Sequence, residues 1–196
     1  MPASYGDVEE AIEPGRYRVP SSEWSAADFT VTFPEGWTVQ YGHVYHQNDQ
    51  RGETAEFYAI DLDEIYTDSC HGEGIPKALG PRVDDLVTAL LEQKGPVASE
   101  PVKTTLGGYP ATRIDLKIPK RLDLESCRLA DDDVLGLQLW YSAPAEKYFV
   151  LQHRGTASIY ILDVAGHRQV FLTQQFSRAP EDRAEVQGVL DSIRVG

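Results

Sequence analysis

Residues 70–127 read CHGEGIPKALGPRVDDLVTALLEQKGPVASEPVKTTLGGYPATRIDLKIPKRLDLESC, and they begin and end with the only two cysteines of the chain. Near the middle, apolar residues recur at helical spacing and form one stripe. The stripe consists of Val83, Leu86, Val87, Leu90 and Leu91. Pro81 suits the first turn of a helix, and Gly95 followed by Pro96 is a stop signal. The pattern therefore predicts an amphipathic helix in this segment.

A β-hairpin is predicted immediately after the helix, because apolar and polar residues then alternate with the period of a half-buried strand. A two-residue turn at Gly107 and Gly108 would set Val102 opposite Arg113, on the wrong face of the hairpin. A three-residue loop that begins at Gly107 instead pairs Val102 with Ile114. Since a one-residue slip turns every side chain over, we predict the three-residue loop.

The two cysteines are too far apart in sequence for a zinc knuckle, and the chain contains no Cys-x-x-Cys motif. A structural disulfide between Cys70 and Cys127 and two unrelated buried thiols both remain open. The polar residues around each cysteine favour the disulfide, since buried free thiols usually have apolar neighbours. Such a bond stabilises by about 4 kcal/mol in the chain-entropy model and implies an oxidising compartment.

The composition limits the classes of function. With 196 residues, 41% hydrophobic and 25% charged, the chain suits a globular domain with one sizeable core. Its formal net charge of −13 argues against nucleic acid or an anionic membrane surface as partner, and an acidic surface mainly maintains solubility. We expect no membrane insertion, because no segment has the length of a membrane span. No leader is present, so the chain is either cytosolic or has had its leader or anchor removed, and the disulfide favours the second alternative.

The order of the predicted elements indicates the fold class. Residues 1–27 carry turn residues and one short strand, and they are predicted to be an N-terminal arm or the end of a linker. Residues 28–196 are predicted to be a single domain, in which the polar residues 48–54 form a loop. Many alternating strands accompany the first helix and a closing amphipathic helix after Pro180. The fold class is therefore α+β, with an antiparallel β-sheet flanked by helices.

Several short motifs occur in a fixed order along the chain. They are Gly15-Arg16-Tyr17, Phe33-Pro34-Glu35-Gly36-Trp37, Asp68-Ser69-Cys70-His71-Gly72-Glu73-Gly74, Leu106-Gly107-Gly108-Tyr109-Pro110, Cys127, Ile161-Leu162-Asp163-Val164 and Leu190-Asp191-Ser192-Ile193. From about Gly15 onward, the chain resembles the secreted or membrane-anchored, lipoprotein-type domains of actinobacteria whose architecture is similar to the PsbP-like fold. The resemblance implies a PsbP-like α/β/α sandwich, an extracytoplasmic location and pairing of Cys70 with Cys127. PsbP-like proteins are mostly non-catalytic binding or assembly factors, so no catalytic residue is carried over.

The loops at the two cysteines supply a candidate binding site. His71, Glu73 and Arg128 lie one to three residues from a cysteine, so a disulfide would hold them close together as a small polar recognition site. In the competing interpretation, which we favour, His71 and Glu73 satisfy backbone groups of the loop. Trp140 and Tyr141 occupy opposite faces of a predicted strand, so one of them leaves the core and offers a binding surface unless a loop or helix covers it.

No catalytic, metal or cofactor site emerges from the motifs. His43 and His46 are three apart on an extended strand and point to opposite faces, so we predict two partly exposed polar residues and no chelate. The acidic residues at 61–64 and 131–133 lack the spacing of a calcium loop. The Gly-x-Ser-x-Gly, Ser-x-x-Lys and His-Glu-x-x-His motifs are absent. A reactive Cys70 beside His71 would be consumed by the disulfide.

These observations predict a non-enzymatic, extracytoplasmic binding or interaction module. Its partner is expected to be a protein or a small apolar ligand, bound at the sheet face or at the loops near the disulfide. Two other classes remain open. One is an enzyme with a site outside the known motifs, based on a carboxylate pair or on Cys70. The other is a structural component of the envelope or of an assembly.

Overall fold

The computed structural model describes residues 9–22, 25–40, 43–48, 52–60, 62, 64–71, 77–127, 135–142 and 147–196. The helices are α1 (Val83–Glu92) and α2 (Pro180–Ser192), with a short 3-10 turn at Leu124–Ser126. The strands are β1 (Glu10–Ala11), β2 (Gly15–Val19), β3 (Phe29–Phe33), β4 (Trp37–Gln40), β5 (His43–Asn48), β6 (Gly52–Ile60), β7 (Glu64–Ile65), β8 (Lys77–Ala78), β9 (Val97–Ala98), β10 (Val102–Leu106), β11 (Tyr109–Lys117), β12 (Gly136–Ser142), β13 (Lys147–Gln152), β14 (Thr156–Val164), β15 (His167–Gln175) and β16 (Arg194–Val195).

A nine-stranded antiparallel sheet forms the centre of the described structure. Eight of its strands follow the order β1-β4-β5-β6-β15-β14-β11-β10. The ninth strand, β9, also pairs with β11. Smaller sheets consist of β16-β3-β2, of β12-β13 and of β7-β8. Strands β14 and β15 lie near the middle, and their residues 159–162 and 170–172 place buried apolar side chains on both faces.

The two faces of the central sheet bury separate cores. On one face, Phe57 and Phe171 pack with α2 and with the β16-β3-β2 sheet. On the other face, Ile159 and Leu172 pack with α1, the β12–β13 pair and the two cysteines. Adjacent residues of one strand therefore serve opposite cores. This arrangement confirms the predicted α+β class, an antiparallel sheet with helices.

Helix α1 lies where the apolar stripe predicted it. Leu86 and Leu90 are fully buried, and the Asp85 carboxylate accepts the Arg82 backbone N–H at 3.0 Å, which caps the first turn. The helix ends at Glu92, just before the predicted stop at Gly95. Leu91 was predicted to face the core but is exposed, because it lies at the far edge of the stripe.

Helix α2 also agrees with its predicted pattern. Pro180 occupies the first turn, where its missing N–H has no intrahelical partner to lose. Val186, Val189 and Leu190 are buried, and Ile193 follows as a buried C-cap. The helix therefore lies over the core that contains Phe171.

The turn between β10 and β11 differs from the prediction. Val102 lies opposite Arg113, so the turn contains only Gly107 and Gly108, and the three-residue loop is wrong. Both glycines have positive φ, +62° and +93°, as a type I′ turn requires. The physical reason is that β10 is an edge strand. Val102 is 55% exposed there, so its apolar side chain does not mark the buried face.

All four described residues of the predicted loop 48–54 belong to strands. β5 continues to Asn48 and β6 begins at Gly52, and the two strands pair as an antiparallel hairpin. The loop prediction is therefore wrong for these positions. It failed because Glu53 and Thr54 are polar residues within the sheet, and Thr54 is only 1% exposed.

The N-terminal residues 10–19 contribute to two sheets. β1 pairs with β4, and β2 pairs with β3. Ile12 is buried in the core on the α2 side of the central sheet. These contacts attach the described part of the predicted arm to the domain.

Cys70 and Cys127 form a disulfide, which confirms the predicted bond. Their Cα atoms are 4.4 Å apart, and both residues are buried in the core beside Leu124. The bond is compatible with an oxidising, extracytoplasmic compartment.

No helix in the described part of the chain is long and apolar enough to cross a membrane.

Candidate functional site

The polar site predicted beside the disulfide is described only in part. His71 is exposed, and its Nδ1 lies 3.2 Å from Asp68 Oδ1, which also accepts the backbone N–H groups of Cys70 and His71. Burial raises the pKa of Asp68, but these hydrogen bonds outweigh it and leave the pKa below its ordinary value. Asp68 thus satisfies the backbone of this turn. Glu73 and Arg128 lie outside the described residues.

Trp140 belongs to the core, so the prediction that it offers a binding surface is wrong. It is 2% exposed and stacks on Phe149 with 4.5 Å between ring centroids. A bulge between Gln138 and Trp140 breaks the alternation of β12, so that Leu139 and Trp140 are both buried. The Tyr141 side chain lies outside the described residues.

His46 lies at the centre of a buried polar network, so the prediction that it is partly exposed is wrong. Its Nδ1 is 2.6 Å from Thr54 Oγ1, and its Nε2 is 3.2 Å from Glu185 Oε1. The tautomer protonated at Nε2 satisfies both contacts, because it donates to Glu185 and accepts from the Thr54 hydroxyl. The His43 side chain lies outside the described residues.

Two N–H donors hold Glu185 in place. The buried Trp37 donates its Nε1–H to Glu185 Oε1 at 2.8 Å, and His46 Nε2 contacts the same oxygen. Gly36 makes this approach feasible: its φ is +92°, and a Cβ there would lie 2.9 Å from His46 Nε2. The turn between β3 and β4 and helix α2 therefore jointly position one carboxylate.

Glu185 lines an open groove between β3 and α2. The groove has a volume of about 460 Å³, and its other lining residues are Thr32, Pro34, Gly188, Val189 and Ser192. Ser192 lies about two helical turns beyond Glu185 and accepts the Thr32 N–H at 2.8 Å, joining helix and strand. At Gly188 a Cβ would meet nothing within 4 Å, so this glycine leaves the groove open.

The groove offers one carboxylate beside a largely apolar wall. Oε1 of Glu185 takes both N–H donors, and Oε2 has no partner among the described residues. Arg16 lies opposite Thr32 on β2, but its guanidinium donates to Thr30 at 2.9 Å. A fixed carboxylate with an open acceptor is suited to an ammonium or guanidinium group.

Thr54, His46 and Glu185 follow the hydroxyl–imidazole–carboxylate order of a nucleophilic relay. The Thr54 hydroxyl, however, is buried within the sheet and also lies 3.4 Å from the His46 carbonyl oxygen. A nucleophile must reach the carbonyl carbon of its substrate, and this hydroxyl has no open approach. The contacts among these three side chains therefore hold Glu185 in position and do not serve nucleophilic catalysis.

A carboxyl pair, Glu53 and Glu56, lies on β6. Glu56 is 2% exposed; its Oε1 accepts from Gln152 Nε2 at 3.0 Å and its Oε2 from Gln174 Nε2 at 2.6 Å. Burial, followed by the charge of Glu56, raises the pKa of Glu53 to about 8. Both oxygens of Glu56 are occupied by protein donors, so the pair is not arranged to act on a substrate.

The sequence-based candidates missed Glu185, Gly188 and the carboxyl pair. Gly188 carried a signal, because a glycine inside a predicted helix marks a close approach or an open space. The contact between Trp37 and Glu185 spans 148 residues, and no local pattern predicts it.

No three His, Cys, Asp or Glu side chains are grouped to hold a metal ion within the described ranges. Of the acidic residues considered for calcium, Asp61, Asp63 and 131–133 lie outside those ranges. Comparison of the chain with models of protein families, with curated proteins and with solved structures found no match in any of the three.

Proposed function

We propose that the protein is an extracytoplasmic, non-enzymatic binding module with a PsbP-like α/β/α architecture, and that the groove between β3 and α2 is its binding site. The observation that carries the proposal is the geometry of Glu185. Its Oε1 is fixed by Trp37 and His46, its Oε2 has no partner among the described residues, and the residue lines the groove. A carboxylate pre-positioned in this way binds a donor without first losing side-chain freedom.

The partner suited to this groove is a protein segment that presents a Lys or Arg side chain. The aliphatic part of such a side chain lies against Val189 and Pro34, and its charged end reaches Glu185. The net charge of −13 attracts a basic partner and accelerates its encounter. An open groove suits a side chain from a partner surface, since small-ligand sites usually enclose most of the ligand.

The remaining features of the chain are consistent with a passive role. The enzyme alternative relied on Cys70 or on a carboxylate pair. The Cys70 sulfur is bonded to Cys127, and the Glu56 oxygens accept from Gln152 and Gln174. The disulfide supports the extracytoplasmic location. If the protein were a purely structural component, the groove would bind no ligand. The titration described next distinguishes that case from a binding module.

Gly188→Leu is expected to weaken binding at the groove at least tenfold without destabilising the protein. The leucine fills the space that the glycine leaves, and it stabilises the helix by about 0.8–1 kcal/mol. The measurement is a titration of ¹⁵N-labelled protein with n-butylammonium chloride. In the wild type we expect saturable shifts at the Trp37 indole N–H and at the Gly188 and Ser192 amides. In Gly188→Leu we expect affinity at least tenfold weaker.

The controls separate the groove from general charge attraction. Ala184→Leu adds the same side chain at an exposed position of α2 outside the groove and should bind as the wild type does. Glu185→Gln should bind as weakly as Gly188→Leu, and sodium butyrate should produce no shifts. An acetylated Ala-Ala-Lys-Ala-Ala peptide should bind more tightly than n-butylammonium if a protein segment is the partner. Equal shifts in the wild type and in Gly188→Leu would refute the assignment of the groove.

A further inference from the structure

Strand β10 lies at one edge of the central sheet, and among the described strands it pairs only with β11. The two-residue turn at 107–108 makes the residues that flank it a hydrogen-bonded pair, and such pairs recur at every second residue of an antiparallel ladder. Val102 and Thr104 therefore also bond to β11. The backbone N–H and C=O groups of Lys103 and Thr105 point away from β11, towards the open side of the edge.

The contacts of β11 agree with this alternation. The Asp115 C=O accepts the Ser99 backbone N–H at 2.8 Å, so Asp115 faces the same edge as Arg113, two residues earlier. Pro110 has no N–H and lies opposite Thr105, where β11 has no hydrogen bond to donate to β10. The outward direction of the Thr105 backbone groups is therefore supported from the partner strand.

The open stretch of this edge is short. On one side, residues 100–101 lie opposite the single Ile114, so a bulge ends the stretch there. On the other side, the Gly107 C=O accepts the Val195 N–H at 3.1 Å, so β16 lies against the turn. The open stretch is therefore confined to residues 102–105. A short edge limits uncontrolled aggregation but still has room for one short extended segment.

This edge is basic, although the chain as a whole is acidic. Residues 97–122, which contain β9, β10 and β11, include five basic and two acidic residues, whereas the whole chain contains 18 basic and 31 acidic residues. One of the two acids, Asp115, is paired with Arg113 at 2.7 Å. Lys103 and Lys117 are exposed. The edge therefore attracts an anionic segment.

The side chains along β10 define the kind of segment that fits. Lys103 and Thr105 lie on one face of the sheet, and Val102 and Thr104 lie on the other. Lys103 Nζ donates to Thr112 Oγ1 at 3.0 Å, and an ammonium has three N–H donors, so it can also bind a carboxylate. Val102 is apolar and exposed. Because directly opposite residues share a face, an added strand should set an acidic side chain against Lys103 and an apolar one against Val102.

We propose that the β10 edge binds an extended segment of a partner protein in which acidic and apolar residues alternate, and that this segment joins the central sheet as an antiparallel strand. Backbone hydrogen bonds to Lys103 and Thr105 supply affinity, and the alternating side chains supply specificity. A second copy of the chain fits less well, because it would set two Lys103 side chains on one face and join two molecules of net charge −13. The proposal does not depend on the groove at Glu185, because no residue of β10 lines that groove.

Hydrogen exchange at the outward amides of β10 measures the addition of a strand directly. The probe is the peptide acetyl-Val-Glu-Val-Glu-Val-amide, added to ¹⁵N-labelled protein. At a saturating concentration we expect exchange at the Lys103 and Thr105 amides to slow at least tenfold, because these N–H groups gain an acceptor. The Thr104 and Leu106 amides already donate to β11 and should change less than threefold. Unchanged exchange at Lys103 and Thr105 would overturn the proposal.

N-methylated peptides separate strand addition from simple charge attraction. In the proposed antiparallel pair, the glutamate N–H groups face β10 and the valine N–H groups face away from it. N-methylation of both glutamates should weaken binding at least tenfold, whereas N-methylation of the last two valines should change it less than threefold. Acetyl-Val-Lys-Val-Lys-Val-amide should bind at least tenfold more weakly than the glutamate peptide. Equal binding of the two N-methylated peptides would refute the added strand.

Two charge reversals give the corresponding test on the protein. Lys103→Glu should weaken binding of the glutamate peptide at least tenfold and should bind the lysine peptide instead. Lys120→Glu, at an exposed position in the turn after β11, makes the same change of charge away from β10 and should alter binding less than threefold. In protein without peptide, exchange at the Thr105 amide that slows as the protein concentration rises would identify a second copy as the occupant and contradict the proposal.

Discussion

Replacement of both cysteines, Cys70→Ala with Cys127→Ala, is expected to lower the free energy of unfolding by about 4 kcal/mol. The bond joins residues 57 apart in sequence, so its removal returns considerable freedom to the unfolded chain. Domains have a total stability of roughly 5–15 kcal/mol, so the loss is a large fraction of the whole. The melting temperature should fall by about 8–16 °C. Urea denaturation followed by circular dichroism measures the loss.

Reduction of the wild-type protein should give the same midpoint as the double variant, which separates the bond from the packing of two sulfur atoms. Glu125→Ala, in the exposed part of the same 3-10 turn, should change stability by less than about 0.5 kcal/mol. Binding of n-butylammonium at the groove should persist in the folded double variant, because the disulfide lies in the opposite core. A loss below 1 kcal/mol, or two thiols that titrate in denatured, unreduced protein, would contradict the bond.

Elements with a continuous apolar pattern were predicted well from the sequence. Helix α1 carries its information locally, because its buried side chains recur with the helical period. The β10–β11 turn was mispredicted for the converse reason. Val102 is apolar yet exposed on an edge strand, so the pattern of β10 does not report which face is buried. Register was decided instead by two glycines with positive φ.

The functional residues were harder to predict, because each depends on contacts between distant parts of the chain. Polar composition predicted a loop at 48–54, although residues 52–54 belong to β6 and Thr54 is buried there. His46 was weighed only against His43, its neighbour in sequence. Its contact with Glu185 requires α2 to lie over β4 and β5, which no spacing within the sequence expresses. The disulfide was predicted because polar residues flank both cysteines, and the chain contains no third cysteine as an alternative partner.

Phe171→Ala is expected to lower the free energy of unfolding by about 3–5 kcal/mol. The ring is fully buried, packs edge-on against Phe29 at 5.0 Å between centroids and stacks on Phe57 at 6.3 Å. Its removal leaves a cavity between the central sheet and the layer formed by α2 and β3. Because Glu185 is carried on α2, the Trp37 indole resonance should shift as well. Urea denaturation measures the stability, and an ¹H–¹⁵N spectrum measures the indole shift.

The adjacent residue supplies the control that makes this result specific. Leu172 is equally buried but faces the opposite core, with α1 and the disulfide. Leu172→Met conserves volume and should cost less than about 1.5 kcal/mol, leaving the Trp37 indole resonance unchanged. A Phe171→Ala protein that loses less than 1 kcal/mol would mean that the aromatic side chains are not packed as described. An unchanged indole resonance would mean that the core beneath α2 does not position Glu185. The groove would then lack a rigid carboxylate, and its selectivity for a basic partner depends on that carboxylate.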